Sequence, residues 1–203
     1  MKKIFLLFAS ILFLNNINSE NIKDSNFLEF FSNKNFFSAQ FLQTTLIDSQ
    51  ERKIKGEIKA NRKGMFKIIY QEPLNEIILS NGKLLYRLDK EIEQLDISKI
   101  DVTLSESPIG IFSSNKEELE DIYEVTQCSN DREQIICVLD PKYEESFLKE
   151  VTIQLTNNEL SSLTYVDTFE QIVVIDFTET SWDEIPNNIF SLEIPEGIDV
   201  VNH

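Results

Sequence analysis

From residue 52 to residue 100 the chain alternates apolar and polar side chains. Ile54, Gly56, Ile58 and Ala60 are interleaved with Lys55, Glu57 and Lys59, which predicts a strand wet on one face. Phe66, Ile68 and Tyr70 repeat the period of two, and Gln71-Glu72-Pro73 ends that run. Ile77-Ile78-Leu79 and Leu84-Leu85-Tyr86 are separated by Ser80-Asn81-Gly82-Lys83. Asn-Gly between two apolar runs predicts a tight hairpin, because both residues tolerate positive φ. Ile92 and Leu95 predict a further short strand. Later alternation predicts strands at 122–128, 134–139, 147–156, 160–168 and 171–180, with turns at Asn130-Asp131 and Asn157-Asn158. A last short strand is expected on Phe190, Leu192 and Ile194, ahead of Pro195-Glu196-Gly197.

Two stretches follow a longer period. Residues 24–46 open on the cap candidates Asp24 and Ser25. They then carry Phe27, Leu28, Phe30, Phe31, Phe36, Phe37, Phe41, Leu42 and Leu46. Spacings near three, four and seven predict an amphipathic helix or helix pair, packed on a core or plugging one end of a β structure. Residues 105–121, with Pro108-Ile109-Gly110-Ile111-Phe112 and Asn115-Lys116-Glu117-Glu118-Leu119-Glu120, predict one or two short helices. The sum is one antiparallel sheet of nine or more strands with helices at its start and middle. A sheet that large must curl, because strands twist.

The first residues form a different kind of segment. Lys2 and Lys3 precede an eleven-residue apolar run at 4–14, followed by Asn15-Asn16-Ile17-Asn18-Ser19. This is the pattern of a secretory signal peptide over residues 1–19, cleaved after Ser19, with residues 20–203 as one domain. The run is too short for a transmembrane anchor, which needs about 20 apolar residues. Removing it takes away Lys2 and Lys3 and moves the formal charge from −16 to −18. Cys128 and Cys137 are the only cysteines. In a hairpin centred between Arg132 and Glu133 they fall opposite each other, at the roughly 4.5–5.5 Å Cα separation of cross-strand partners. Export supplies an oxidising compartment, so a stabilising disulfide is expected in preference to two buried thiols.

Composition then removes most chemistry. The 203 residues carry 19 Lys and Arg against 35 Asp and Glu, a surface that repels nucleic-acid phosphates. The sole histidine is His203, so a histidine general base or a His-rich metal site is not expected. No Gly-rich phosphate loop and no Gly-x-Ser-x-Gly elbow occurs. The acidic pairs Glu117-Glu118, Glu120-Asp121 and Glu144-Glu145 lie among polar neighbours and read as solvated faces. Trp182 stands beside Asp183 and Glu184, and packing is its default role. What remains is an excess of Phe, 15 in all. That excess fills a core or lines a cavity for an apolar ligand, and periodicity fits both.

Longer strings add a resemblance. Asn35-Phe36-Phe37-Ser38-Ala39-Gln40-Phe41-Leu42-Gln43 is followed by Gly56. Next comes Asn61-Arg62-Lys63-Gly64-Met65-Phe66-Lys67-Ile68-Ile69-Tyr70-Gln71-Glu72-Pro73, and then Ser80-Asn81-Gly82-Lys83-Leu84-Leu85-Tyr86. Further matches are Glu93-Gln94, Pro108, Leu148-Lys149 and Phe190-Ser191-Leu192-Glu193-Ile194-Pro195-Glu196-Gly197-Ile198-Asp199-Val200. In this order they resemble the LolA family, periplasmic carriers of outer-membrane lipoproteins, across residues 27–200.

The resemblance implies a mainly β (α+β) fold: an incomplete antiparallel β-barrel closed by N-terminal and central lid helices around an apolar cavity. It implies a monomeric, non-enzymatic periplasmic carrier without cofactor. Such a carrier takes lipoproteins from an inner-membrane lipoprotein-releasing ABC transporter, shields their acyl chains and delivers them to an outer-membrane receptor. Arg62 matches the family arginine that closes the lid on helix carbonyls. Phe66 matches a cavity aromatic, and Ile109 and Phe112 match lid positions that touch acyl chains. The family usually has proline after the arginine, where this chain has Lys63. The disulfide candidate Cys128–Cys137 has no counterpart carried over from the family. A second expectation is a periplasmic regulatory or sensor domain of the same half-barrel fold that binds a protein partner. A third, an acyl-chain hydrolase, lacks a histidine base.

Overall fold

Why this chain forms an open barrel follows from the order in which its strands pair. The computed structural model describes residues 27, 30–31, 33–47, 50–100, 107–131, 133–143 and 146–203. The segment read as a signal peptide lies outside them, as do Asp24, Ser25, Leu28 and the Glu144-Glu145 pair. Twelve strands make one sheet: β1 (Phe36–Ile47), β2 (Gln50–Asn61), β3 (Met65–Tyr70), β4 (Glu76–Asn81), β5 (Leu84–Asp89), β6 (Gln94–Lys99), β7 (Tyr123–Asp131), β8 (Gln134–Pro141), β9 (Leu148–Thr156), β10 (Glu159–Asp167), β11 (Ile172–Ser181) and β12 (Asp199–Asn202). Their order is β12-β6-β5-β4-β3-β2-β1-β11-β10-β9-β8-β7, so β12 and β7 remain as edges and the barrel does not close. Helices α1 (Gly110–Ser113) and α2 (Lys116–Ile122) interrupt the meander between β6 and β7.

Three sequence expectations need correction. Residues 36–47 form the central strand β1, not the continuation of a helix. Phe37, Ala39 and Phe41 are buried and alternate with Ser38 and Gln40, and β1 is hydrogen-bonded on both sides, to β2 and β11. Its Phe and Leu spacing fits both periods, and two neighbouring strands decide between them. Among the described residues of that stretch, only Phe27, Phe30 and Phe31 are helical. The strand expected at 190–194 is absent. A 3₁₀ turn, Asn187–Phe190, buries Phe190, and the last strand is β12, parallel to β6 in an otherwise antiparallel sheet. Ile92 lies in an exposed turn ahead of β6.

The turns obey residue chemistry. Between β4 and β5 only Gly82 has positive φ (86°), and Asn81 Oδ1 accepts from the N–H groups of Lys83 and Leu84. Asn157 and Asn158 both take positive φ, 54° and 61°, as a two-residue hairpin of primed type requires. Asn115 caps α2: its side chain accepts from the Glu118 N–H, and the Glu118 carboxylate accepts from the Asn115 N–H.

The two faces of the sheet are both covered at β3 and β4. Leu79, Leu88 and Leu95 are buried on the convex side, where the C-terminal segment with Ile185 and Phe190 packs against β3 and β4. The concave side carries the larger core. Cys128 and Cys137 are direct partners across β7 and β8 with a Cα separation of 4.2 Å, and they form a disulfide. Cys137 is fully buried in the concave core.

Two stability outcomes follow. A Cβ at Gly56 would sit 2.4 Å from Phe41 Cζ and 2.6 Å from the Ile69 carbonyl oxygen. Gly56→Ala therefore lowers the urea-unfolding free energy by about 1–3 kcal/mol, the usual penalty of overpacking. Reduction of the disulfide, which closes a loop with a sequence separation of 9, lowers the same quantity by about 2–3 kcal/mol on a loop-entropy basis. Urea melts with and without dithiothreitol measure this, and coincident melts contradict it.

Candidate functional site

The concave face encloses a cavity of about 220 Å³. Its floor comes from alternate residues of neighbouring strands: Phe41 of β1, Ile58 of β2, Phe66, Ile68 and Tyr70 of β3, and Ile78 of β4. Direct partners in an antiparallel ladder share a face. Ile58↔Ile68↔Ile78↔Arg87↔Asp96 is thus one row across the sheet, apolar up to Ile78 and charged beyond it. Arg87 donates through Nε to the buried carboxylate of Glu76. Asp96 is held below the usual carboxylate range by hydrogen bonds from Gln94 and His203. The opposite wall supplies Tyr165 of β10 with Ile175 and Phe177 of β11, and the roof supplies Pro108, Ile109 and Phe112.

An aromatic cluster closes one end. Phe112 of α1 stacks on Phe37 at 4.4 Å and 13°, and meets Phe177 edge-on at 5.8 Å. Trp182 packs against Phe30, Phe31 and Phe37, with centroids 6.3, 6.0 and 5.0 Å away. The helical stretch with Phe27, Phe30 and Phe31 thus plugs the barrel end, and Trp182 takes the packing role that was its default.

Arg62 stands at the junction of plug, lid and sheet. Its Nε donates to the Lys34 carbonyl (3.0 Å) and its Nη2 to the Phe31 carbonyl (2.8 Å). Its Nη1 donates to the carbonyls of Ile111 and, at 3.1 Å, Ser114 at the C-terminal end of α1. Helix C-terminal carbonyls lack intrahelical donors, and a guanidinium supplies five N–H groups. Among the described residues no carboxylate pairs with Arg62. Burial lowers its pKa to about 10, which still leaves it charged at neutral pH. The lid is further tied by the Gly64 N–H to the Ser113 carbonyl at 3.1 Å.

Lys63 occupies the family's proline position, and its N–H donates to Asn61 Oδ1 at 3.0 Å. The same oxygen accepts from Met65 N–H at 3.3 Å. The turn is therefore held by a buried asparagine, through a bond that proline has no N–H to make.

Of the residues singled out from sequence, Phe66, Ile109 and Phe112 line one cavity, and Arg62 sits at the edge of its lid. Cys128 and Cys137 lie elsewhere, on the strands next to the β7 edge. Sequence reasoning missed Phe41, Tyr70, Tyr165, Ile175 and Phe177 as lining residues. Their period-two placement marks a face but not which wall it meets. Glu118 and Glu120 have surface roles, in the α2 cap and beside Lys116 at 3.7 Å.

Comparison with known proteins places this geometry. An outer-membrane lipoprotein carrier protein from Hahella chejuensis is 28% identical over 169 residues, 81% of each chain. One from Nitrosospira multiformis is 25% identical over 202 residues, covering 98% of this chain and 94% of its own. Among solved structures, an uncharacterized conserved protein from Thermus thermophilus shares the fold with a TM-score of 0.55 at 8% identity. That match covers 88% of this chain and 99% of the other. The family profile described as outer membrane lipoprotein carrier protein LolA matches residues 32–193. With its lidded open barrel and its matched length, the chain belongs to the LolA family.

Proposed function

We propose that this protein is a periplasmic carrier of lipoproteins. It shelters their acyl chains on the way from the inner to the outer membrane. The observation that carries this reading is the apolar cavity beneath a lid that Arg62 fastens, among the described residues, through main-chain carbonyls. Each buried CH₂ is worth about 0.8 kcal/mol, so fatty chains exposed in water would drive aggregation or reinsertion. The cavity is smaller than the roughly 300–1,000 Å³ of pockets that bury a drug-sized ligand. A multi-chain cargo therefore requires the lid to swing away, and the described arrangement is the closed state. Phe66 is the floor that the chains lie on, and Ile109 and Phe112 travel with the lid.

The same reading assigns residues 1–19 to a cleaved signal peptide and residues 20–203 to one monomeric carrier domain. An inner-membrane ABC transporter loads it and an outer-membrane receptor unloads it. No reaction is required of it, since loading and release are partition steps.

Arg62→Leu removes four hydrogen bonds from a charged donor, each worth about 1.5–3 kcal/mol before solvent screening. The lid then rests open and holds its cargo. Transfer of a bound lipoprotein to acceptor membranes carrying the receptor falls by about tenfold or more, with an unchanged circular dichroism spectrum. Normal transfer by this variant contradicts the latch. Phe66→Glu places an unpaired carboxylate under the acyl chains, which is strongly unfavourable. Acylated protein no longer copurifies with the folded variant, and unaltered copurification contradicts a cargo-facing Phe66.

A further inference from the structure

Besides Ser107 of the lid segment, three polar side chains line the cavity. Side chains on the inner face of β1 run Phe37, Ala39, Phe41 and then Gln43, away from the aromatic plug. Gln43, Tyr70 and Tyr165 all line the cavity, and they come from β1, β3 and β10. The two tyrosines stand on opposite walls of the cavity. The Tyr70 ring is positioned edge-on to Phe41 at 5.6 Å. Among the described residues neither phenol hydroxyl has a hydrogen-bond partner, and Gln43 has only a long 3.4 Å contact to Thr45. Burial pushes the Tyr70 and Tyr165 phenols up to about 12, so both keep their protons and remain donors.

We propose that Gln43, Tyr70 and Tyr165 form a head-group site at the end of the acyl cavity, which receives the neutral ester and amide carbonyl oxygens joining fatty chains to cargo. The inference rests on the carrier reading. An ester carbonyl is an acceptor without charge, and phenol and carboxamide N–H or O–H groups match it. Two carboxylates act on these donors: Glu76 on the Tyr70 phenol and Asp167 on the Tyr165 phenol. Glu76 is paired with Arg87, whereas Asp167 accepts only from the backbone N–H groups of Phe169 and Gln171. A phosphodiester brought to this end meets that negative field, while a neutral acyl linker does not. Phospholipids share the ester carbonyls, so the site distinguishes the two lipids by the charge that follows them.

Tyr70→Phe with Tyr165→Phe removes two hydroxyls and keeps both rings, and a thermal melt verifies that the double variant folds. The probes are a synthetic triacylated cysteinyl peptide, the hydrocarbon dye diphenylhexatriene and phosphatidylglycerol vesicles. The double variant binds the triacylated peptide about tenfold more weakly, as expected for two lost hydrogen bonds, and binds diphenylhexatriene within about twofold of wild type. Wild type takes up phosphatidylglycerol about tenfold less well than the triacylated peptide. Unchanged peptide affinity, or equal losses for peptide and dye, overturns the head-group site. Equal wild-type uptake of phosphatidylglycerol and peptide overturns its preference for acylated protein. Wild type that binds the dye but no triacylated peptide overturns the carrier reading itself, and the head-group site with it.

Discussion

A guanidinium held by four main-chain carbonyl oxygens, with no carboxylate among the described residues, is the interaction on which the proposed lid cycle turns. Arg62 sits in the turn between β2 and β3, yet its four side-chain bonds reach segments that lie over the sheet. An ion pair in that place would be a strong, charge-specific lock, and breaking it would strand a carboxylate. Carbonyls are different. They are neutral, water satisfies them when the arginine leaves, and the arginine is itself readily hydrated. In the proposed cycle the latch therefore holds in the closed state and leaves little penalty in the open one. A carrier that must load and unload needs that balance.

The rest of the structure supports the latch. Asn61 fixes the turn that carries Arg62, by accepting from Lys63 and Met65. Phe112, Phe37, Phe177 and Trp182 give the lid an aromatic seat, so closing buries rings against rings. The open barrel is equally necessary. With β12 and β7 unpaired to each other, one wall can be a lid of short helices instead of strands. The C-terminal segment packs on the convex side against β3 and β4, where Leu79 is buried, while the concave side holds the larger core and the cavity within it.

Much of this was legible in the sequence, and the remainder has identifiable causes. Strands with one wet face announced themselves, as β2 did through Ile54, Ile58 and Ala60 against Lys55, Glu57 and Lys59. The hairpin that sets Cys128 opposite Cys137 followed from counting residues. The strand β1 was misread as helix because Phe36, Phe37, Phe41 and Leu42 satisfy both periods, and only its two hydrogen-bonded neighbours choose. The parallel pairing of β12 with β6 joins residues about a hundred positions apart, and no local pattern encodes it. At the site, Phe66, Ile109, Phe112 and Arg62 were reached through the family resemblance. Tyr165, Ile175 and Phe177 were not, because alternation tells which residues share a face and not which face looks across the barrel. The acceptors of Arg62 are main-chain atoms, so side-chain identity gives no sign of them.

The central claim is that the space under the lid exists for fatty chains. Its most direct test is native mass spectrometry of the protein taken from the periplasm without detergent. A population is expected whose added mass is an acylated lipoprotein, released when the acyl groups are removed. A protein recovered only in its free form, while lipoproteins in the same extract ride on other partners, would contradict it.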